Sequence, residues 1–190
     1  MANIDAAFGF RPVRHISGGL IRAEEIPITA SYNTNIYNGQ VVEVVAAGTI
    51  EAATVGDTQT AGIFGGVSYT DPTTSKPTWS NYYPNTTAAS DLKATVYTDP
   101  NIVLEGQHNG TGTQAMNFDD IDFAGTSGST INGQSSSEIA TSTSGNNNGN
   151  FKQIGISTDP ENSDTGSANV NAYVVFNVGE HVFKVDTALA

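Results

Sequence analysis

The run Asp119-Asp120-Ile121-Asp122 gathers the most potential metal ligands in the shortest stretch of this chain. Asp120 and Asp122 have the alternate spacing with which an EF-hand loop presents carboxylates to calcium. Counting from Asp120, the next ligand position is Ala124 and the twelfth is Ile131, where the motif requires glutamate. The EF-hand reading therefore fails. The run is expected to be a solvated acidic face without metal, with a looser loop site as the alternative.

The three histidines, His15, His108 and His181, lack the His-x-x-x-His spacing of a zinc site. His181, beside Glu180 at an expected turn, reads as a surface residue. There is no Gly-x-Ser-x-Gly elbow and no phosphate-cradling Walker loop. The chain is accordingly expected not to be an enzyme, with no catalytic residue and no cofactor. Tyr69, Trp79, Tyr82, Tyr83 and Tyr97 could line a carbohydrate platform, although such residues on adjacent strands read first as half-buried core or subunit interface. Asn85-Thr86-Thr87 and Asn109-Gly110-Thr111 match the glycosylation pattern, which carries little meaning without a secretory signal.

The strongest clue is a charge split. All three arginines, Arg11, Arg14 and Arg22, lie in the first twenty-two residues against one acid, Asp5. The net charge there is 3 − 1 = +2. The remainder sets four lysines against eighteen acids, or −14, which together give the total of −12. Phe8 and Phe10 flank Gly9 within the basic stretch. Phe supplies apolar burial and Arg supplies forked pairing with carboxylates, and both types recur at the energetic centres of interfaces. The expected docking residues are Phe8, Phe10, Arg11, Arg14 and Arg22.

The elements that must carry these residues read as β structure. Hydrophobic residues make up 37% and charged residues 14% of the chain, the latter well below the usual fraction of about 25%. Ser, Thr, Asn and Gly fill the difference, and all are weak helix formers. Residues 1–25 are expected to form an extended docking arm, broken by Gly9, Pro12, Gly18 and Gly19. Residues 26–190 are expected to form a single β-rich domain. Val41–Val45 and Thr49–Ala53 read as a hairpin about Ala46-Ala47-Gly48. Ala61–Tyr69 reads as a strand whose glycines mark a bulge or a close backbone approach. Lys93–Thr98 and Asn101–Glu105 read as a hairpin about Asp99-Pro100, and the C-terminal runs Asn171–Val178 and His181–Val185 as a last hairpin near the core. Residues 125–150 read as a long polar loop insertion, with one helical turn capped by Ser135 and Glu138. The fold class is all-β, an antiparallel sandwich or barrel of short strands with an extended N-terminal arm.

Bulk properties narrow the partners. The charge of −12 argues against nucleic acid, whose binding rests on Lys and Arg, and against an anionic membrane. No cysteine is present, so neither disulfides nor thiolate metal sites arise. No apolar run approaches the length of about 18 residues needed to span a membrane. Without a signal-peptide pattern, manufacture in the cytoplasm is expected.

Several segments carry a family resemblance. Ala6-Ala7-Phe8-Gly9-Phe10-Arg11-Pro12-Val13, Ile36-Tyr37-Asn38-Gly39-Gln40-Val41-Val42, Gly62–Tyr69, Asn81-Tyr82-Tyr83-Pro84 and Tyr97-Thr98-Asp99-Pro100-Asn101 resemble the head decoration, or capsid cement, proteins of tailed bacteriophages. Thr98 departs from that pattern, standing in place of a second acid. The resemblance implies a β-rich body on the outer surface of the capsid, bound to the major capsid protein and stabilising the shell. It also implies a homotrimer assembled in the host cytoplasm, with an extended terminus reaching capsid subunits. A tail or neck component of the virion, or a carbohydrate-binding β module, is the alternative.

Overall fold

The computed structural model describes residues 2–56, 59–143 and 149–184. Within them fourteen strands follow one another, with a single 3-10 turn at Gln114–Met116. They are β1 (Arg11–His15), β2 (Glu24–Pro27), β3 (Ile36–Tyr37), β4 (Val41–Val44), β5 (Ile50–Ala52), β6 (Thr60–Thr70) and β7 (Pro77–Ser80). Then come β8 (Tyr82–Tyr83), β9 (Lys93–Tyr97), β10 (Ile102–Gln107), β11 (Asp120–Ala124), β12 (Glu138–Thr143), β13 (Phe151–Ile156) and β14 (Asn171–Phe176).

The strands form an antiparallel sandwich. The first sheet runs β1-β10-β14-β13-β11-β12, and the second runs β2-β9-β6-β4-β5 with β7 also on β6. Alternation of side chains along each strand explains the layering. From the second sheet, Val41 and Ile63 join Ile102, Leu104, Phe123, Phe151, Val174 and Phe176 of the first in one core between the sheets. The opposite face of the second sheet, with Val42, Phe64, Val67, Ala94 and Val96, is covered by Ile28, Ile36, Tyr83, Ala89 and Leu92. The middle of the second sheet is thus buried on both faces, which is why Val41-Val42 of β4 and Ala61–Val67 of β6 show little alternation.

Local signals were largely accurate. β4 and β5 pair antiparallel about the Ala46-Ala47-Gly48 turn, with Val45 N–H donating to the Thr49 carbonyl at 2.9 Å. β6 is kinked by bulges against both β4 and β9. At Gly62 (φ +149°) an added Cβ would lie 2.1 Å from the Tyr97 carbonyl oxygen, so the glycine permits a close backbone approach.

Four expectations require correction. β9 and β10 do not form a hairpin: β9 lies between β2 and β6, and β10 between β1 and β14, so Asp99-Pro100 carries the chain from one sheet to the other. The polar stretch 125–150 is not simply a loop. It contains β12, paired to β11, and the segment before it is ordered by Ser135 and Ser137, both buried, with Ser135 donating to Ser137 at 2.9 Å. Glu138 opens a strand there instead of completing a helical cap. Residues 144–148 lie outside the described residues. The last hairpin is also absent among the described residues. β14 is flanked by β10 and β13, and His181 instead bridges to Thr60; residues 185–190 lie outside the described residues.

The N-terminal segment is extended but tied down along most of its length. Asn3 donates to the carbonyls of Asp164 and Ala168, the Ile4 carbonyl accepts from Gln107 and Asn162, and Phe10 N–H donates to the Gly39 carbonyl at 2.8 Å. Residues 11–15 are the edge strand β1 of the first sheet, paired to β10. Residues 38 and 39 are a shared anchor beside this seam: Gly39 N–H donates to the Phe64 carbonyl, and Asn38 donates to the Gly65 carbonyl and to the Asn81 amide oxygen.

Candidate functional site

Five side chains of the basic segment are placed in two groups. Phe10 is fully buried, its ring 4.7 Å from that of Phe151, and Phe8 is half-buried. The Arg11 guanidinium lies 4.5 Å from the Phe8 ring centroid and 2.7 Å from the Glu105 carboxylate. Glu105 is itself buried and accepts a second bond from the Ser157 hydroxyl at 2.6 Å. Phe8, Phe10 and Arg11 are therefore engaged within the molecule. Arg14 and Arg22 are exposed.

Between these two arginines the chain forms a rim across one side of the sandwich. β1 is the edge of the first sheet and β2 the edge of the second, so residues 16–23 cross from sheet to sheet. The neighbouring crossing at Asp99–Asn101, which runs the opposite way, roots them. Ile16 N–H donates to the Asn101 carbonyl at 3.0 Å, and His15 Nε2 lies 2.9 Å from the Asp99 carboxylate. His15 Nδ1 is in turn 2.9 Å from the Ser17 hydroxyl, fixing the start of the loop. Ile21 packs inward against the core between the sheets. Val13, Ile16 and Leu20 face solvent, Leu20 at 80% exposure.

The rim thus alternates exposed aliphatic side chains with Arg14 and Arg22, on a body of opposite net charge. Such a surface suits a partner offering apolar contact and carboxylates. It does not suit strand addition: Pro12, Pro27 and the bulge between Pro12 and Arg14 interrupt both edges. The sequence reading missed Ile16 and Leu20. No local signal marks them, since Ile21 in the same Gly-rich stretch packs on the core.

Replacing Arg11 by Met is expected to lower unfolding free energy by about 1–2 kcal/mol, because Glu105 would keep its burial and lose its charged partner. Urea denaturation checks this; an unchanged midpoint would show that the pair adds nothing.

The remaining candidates resolve as structure. Asp120 is buried and paired with Lys152, so it does not belong to a solvated face. Asp122 accepts from Asn150 N–H at 3.2 Å. Among the described residues no three His, Asp or Glu side chains come together as a metal site. His108 is buried with Nε2 2.9 Å from Gln153, and burial holds its pKa below the ordinary histidine value. His181 is also fully buried, contrary to the expected surface position. Its ring sits 4.6 Å from Phe176, and desolvation, followed by the Lys184 charge, lowers its pKa to about 4. The five aromatics do not share a face: Tyr83 is core, Tyr97 packs on the core between the sheets, and Trp79 stands exposed. Among the described residues no helix is long and apolar enough to cross a membrane. Comparisons of the chain with family models, with curated proteins and with solved structures found no match.

Proposed function

We propose that this protein is a structural component of a phage virion, one that decorates the outer surface of the capsid by binding the major capsid protein. The observation that carries the reading is the rim of residues 13–22, where Val13, Ile16 and Leu20 stand exposed beside Arg14 and Arg22. An acidic body with its only arginines at one margin suits a partner surface that offers carboxylates to that margin. The resemblance of the quoted motifs to capsid cement proteins adds to this reading. A single rim is small for tight binding. A homotrimer would present three rims at once, and avidity would then multiply modest single-site affinities.

The rim, and not the whole N-terminal segment, is the region to test. Deleting residues 1–22 would also remove β1 and Phe10, so loss of binding would report unfolding. The triple replacement Arg14→Ala, Leu20→Ser, Arg22→Ala touches exposed side chains only. It is expected to leave unfolding free energy within about 1 kcal/mol of wild type, while occupancy on heads of the parent phage lacking this protein falls at least about tenfold. Wild-type occupancy would refute the rim. Antibody labelling of intact virions tests the location: label on the tail or neck would refute the capsid reading and leave a different virion role.

A further inference from the structure

We propose that Trp79 forms a binding platform for an uncharged glycan, separate from the docking rim. The platform begins with a register fact. Trp79 on β7 stands opposite Ser68 on β6, and Ser68 stands opposite Lys93 on β9. These three residues form one row across the part of the second sheet that carries β7. Trp79 is 62% exposed there.

What holds the indole is the missing side chain of Gly66. A Cβ built on Gly66 would lie 2.7 Å from Cζ2 of Trp79, closer than real Cβ atoms come, and a tight 3.1 Å from Cε2. Gly66 has φ +135°, a conformation open in practice to glycine alone. The benzenoid ring of Trp79 therefore rests on bare backbone of β6 while much of the side chain stays open to solvent. An exposed indole that is merely tolerated would lose little by rotating freely; this one is seated.

Polar groups surround it. An open cleft of about 580 Å³ beside the ring is lined by Ser68, Thr70, Thr78, Asp91 and Lys93, with Pro77 and Tyr69. The Asp91 carboxylate is fixed by Thr70, accepting from its N–H at 3.0 Å and its hydroxyl at 2.7 Å. Lys93 is fixed by Glu25 at 3.1 Å. A held carboxylate, an ammonium and the hydroxyls of Ser68, Thr70 and Thr78 beside an aromatic face match the chemistry of a pyranose. Its axial C–H groups form an apolar face that complements the negative face of the ring, and its hydroxyls both donate and accept. Glu25 already pairs with Lys93, so Asp91 leaves the cleft one net negative charge, which disfavours an anionic ligand. The net charge of −12 further disfavours an anionic polysaccharide. A Pro-rich peptide would need a groove between several aromatic rings, whereas a single exposed indole lies here.

The chain contains one tryptophan, so its intrinsic fluorescence reports this site alone. The full-length protein is titrated with neutral oligosaccharides (maltohexaose, cellohexaose, mannohexaose, chitohexaose) to about 10 mM, which covers millimolar affinities. At least one is expected to shift or quench the emission saturably. By calorimetry, Trp79→Ala is expected to abolish that binding and Asp91→Asn to weaken it about tenfold, while Arg14→Ala, Arg22→Ala leaves it unchanged. Trp79 is exposed, so unfolding curves of the alanine variant are expected to match wild type. The proposal is overturned if no saccharide in the panel gives a saturable signal. It is equally overturned if binding survives Trp79→Ala, or if a polyproline peptide shifts the emission and none of the sugars does. Capsid occupancy does not enter any of these readouts, so the platform and the rim fail or hold independently.

Discussion

Phe10→Ala is expected to lower unfolding free energy by about 3–5 kcal/mol, a large share of the roughly 5–15 kcal/mol that holds a domain of this size together. Phe10 is 1% exposed. Its ring lies 4.7 Å from Phe151, which in turn lies 5.3 Å from Phe176, so the three rings form one continuous stack in the core between the sheets. The space it fills is reserved on the facing strand: a Cβ on Gly106 would lie 3.0 Å from Phe10 Cε1. Truncation therefore opens a cavity that neighbouring strands cannot close without shifting, and cavity cost adds to lost burial. It also loosens the start of β1, whose pairing covers the edge of β10. Urea denaturation followed by fluorescence and circular dichroism measures the effect. A loss below about 1 kcal/mol would mean that the segment is an appendage after all. Set beside the rim variant, Phe10→Ala separates fold from the proposed docking: it is expected to lower capsid occupancy only through loss of fold, whereas the rim replacements are expected to lower it with the fold intact.

Acid is expected to destabilise the protein through His181. Its folded-state pKa of about 4 lies below the ordinary 6.5, because burial disfavours the charged ring and the Lys184 ammonium repels it. Above 6.5 both folded and unfolded chains keep the ring neutral, and the stability is fully present. Between 6.5 and about 4 the unfolded chain takes up a proton that the folded chain refuses, so stability falls as pH falls. Across that window the loss amounts to roughly 3 kcal/mol. His108, whose pKa is also lowered by burial, adds a loss of the same sign. The Glu180 carboxyl works in the opposite direction. Its pKa is raised by burial and by Asp122, so the folded chain gains a proton first and recovers some stability as pH falls toward 4.5. The clean measurement is therefore a difference. In His181→Asn the amide oxygen can still accept from Phe183 N–H, as Nδ1 does now at 3.2 Å. The variant is expected to be less stable at pH 7, having lost the ring contact with Phe176, yet to lose about 3 kcal/mol less between pH 7 and pH 4. Parallel slopes for the two proteins would show that His181 is not the group refusing the proton.

The fate of individual segments shows which properties were local. The hairpin about Ala46-Ala47-Gly48 and the strand over Ala61–Tyr69 were legible because turn chemistry and β-branched alternation act over a few residues. Asp99-Pro100 was read correctly as a reversal and wrongly as a hairpin. A turn dictates a change of direction, but the neighbour each strand takes is decided elsewhere, here by β1 joining β10 and β2 joining β9. His181, Ser135 and Ser137 were misplaced because burial was read from residue type. Composition scores a polar residue as exposed, whereas a polar residue whose bonds are met internally can be buried, as Ser137 donates to the Gly125 carbonyl at 2.9 Å; His181 is buried as a neutral ring packed on Phe176.

By itself the sequence determined the all-β class, a bulge or close backbone approach somewhere among the glycines of Ala61–Tyr69, and the charge split that places every arginine in the first twenty-two residues. These follow from propensity, backbone sterics and counting, none of which depends on what lies across the molecule. Only the tertiary structure decided which members of the basic segment face outward. Phe10 and Leu20 are both large apolar residues in a Gly-containing stretch, and nothing local separates them. Phe10 meets Phe151 and the gap left by Gly106, so it is core; Leu20 meets no such surface, so it stands on the rim. The same holds for the aromatics, where Gly66 lets Trp79 lie down in solvent while Tyr83 closes a core. A side chain's role is set by the surface opposite it, and pairing residues far apart in sequence is what the fold alone supplies.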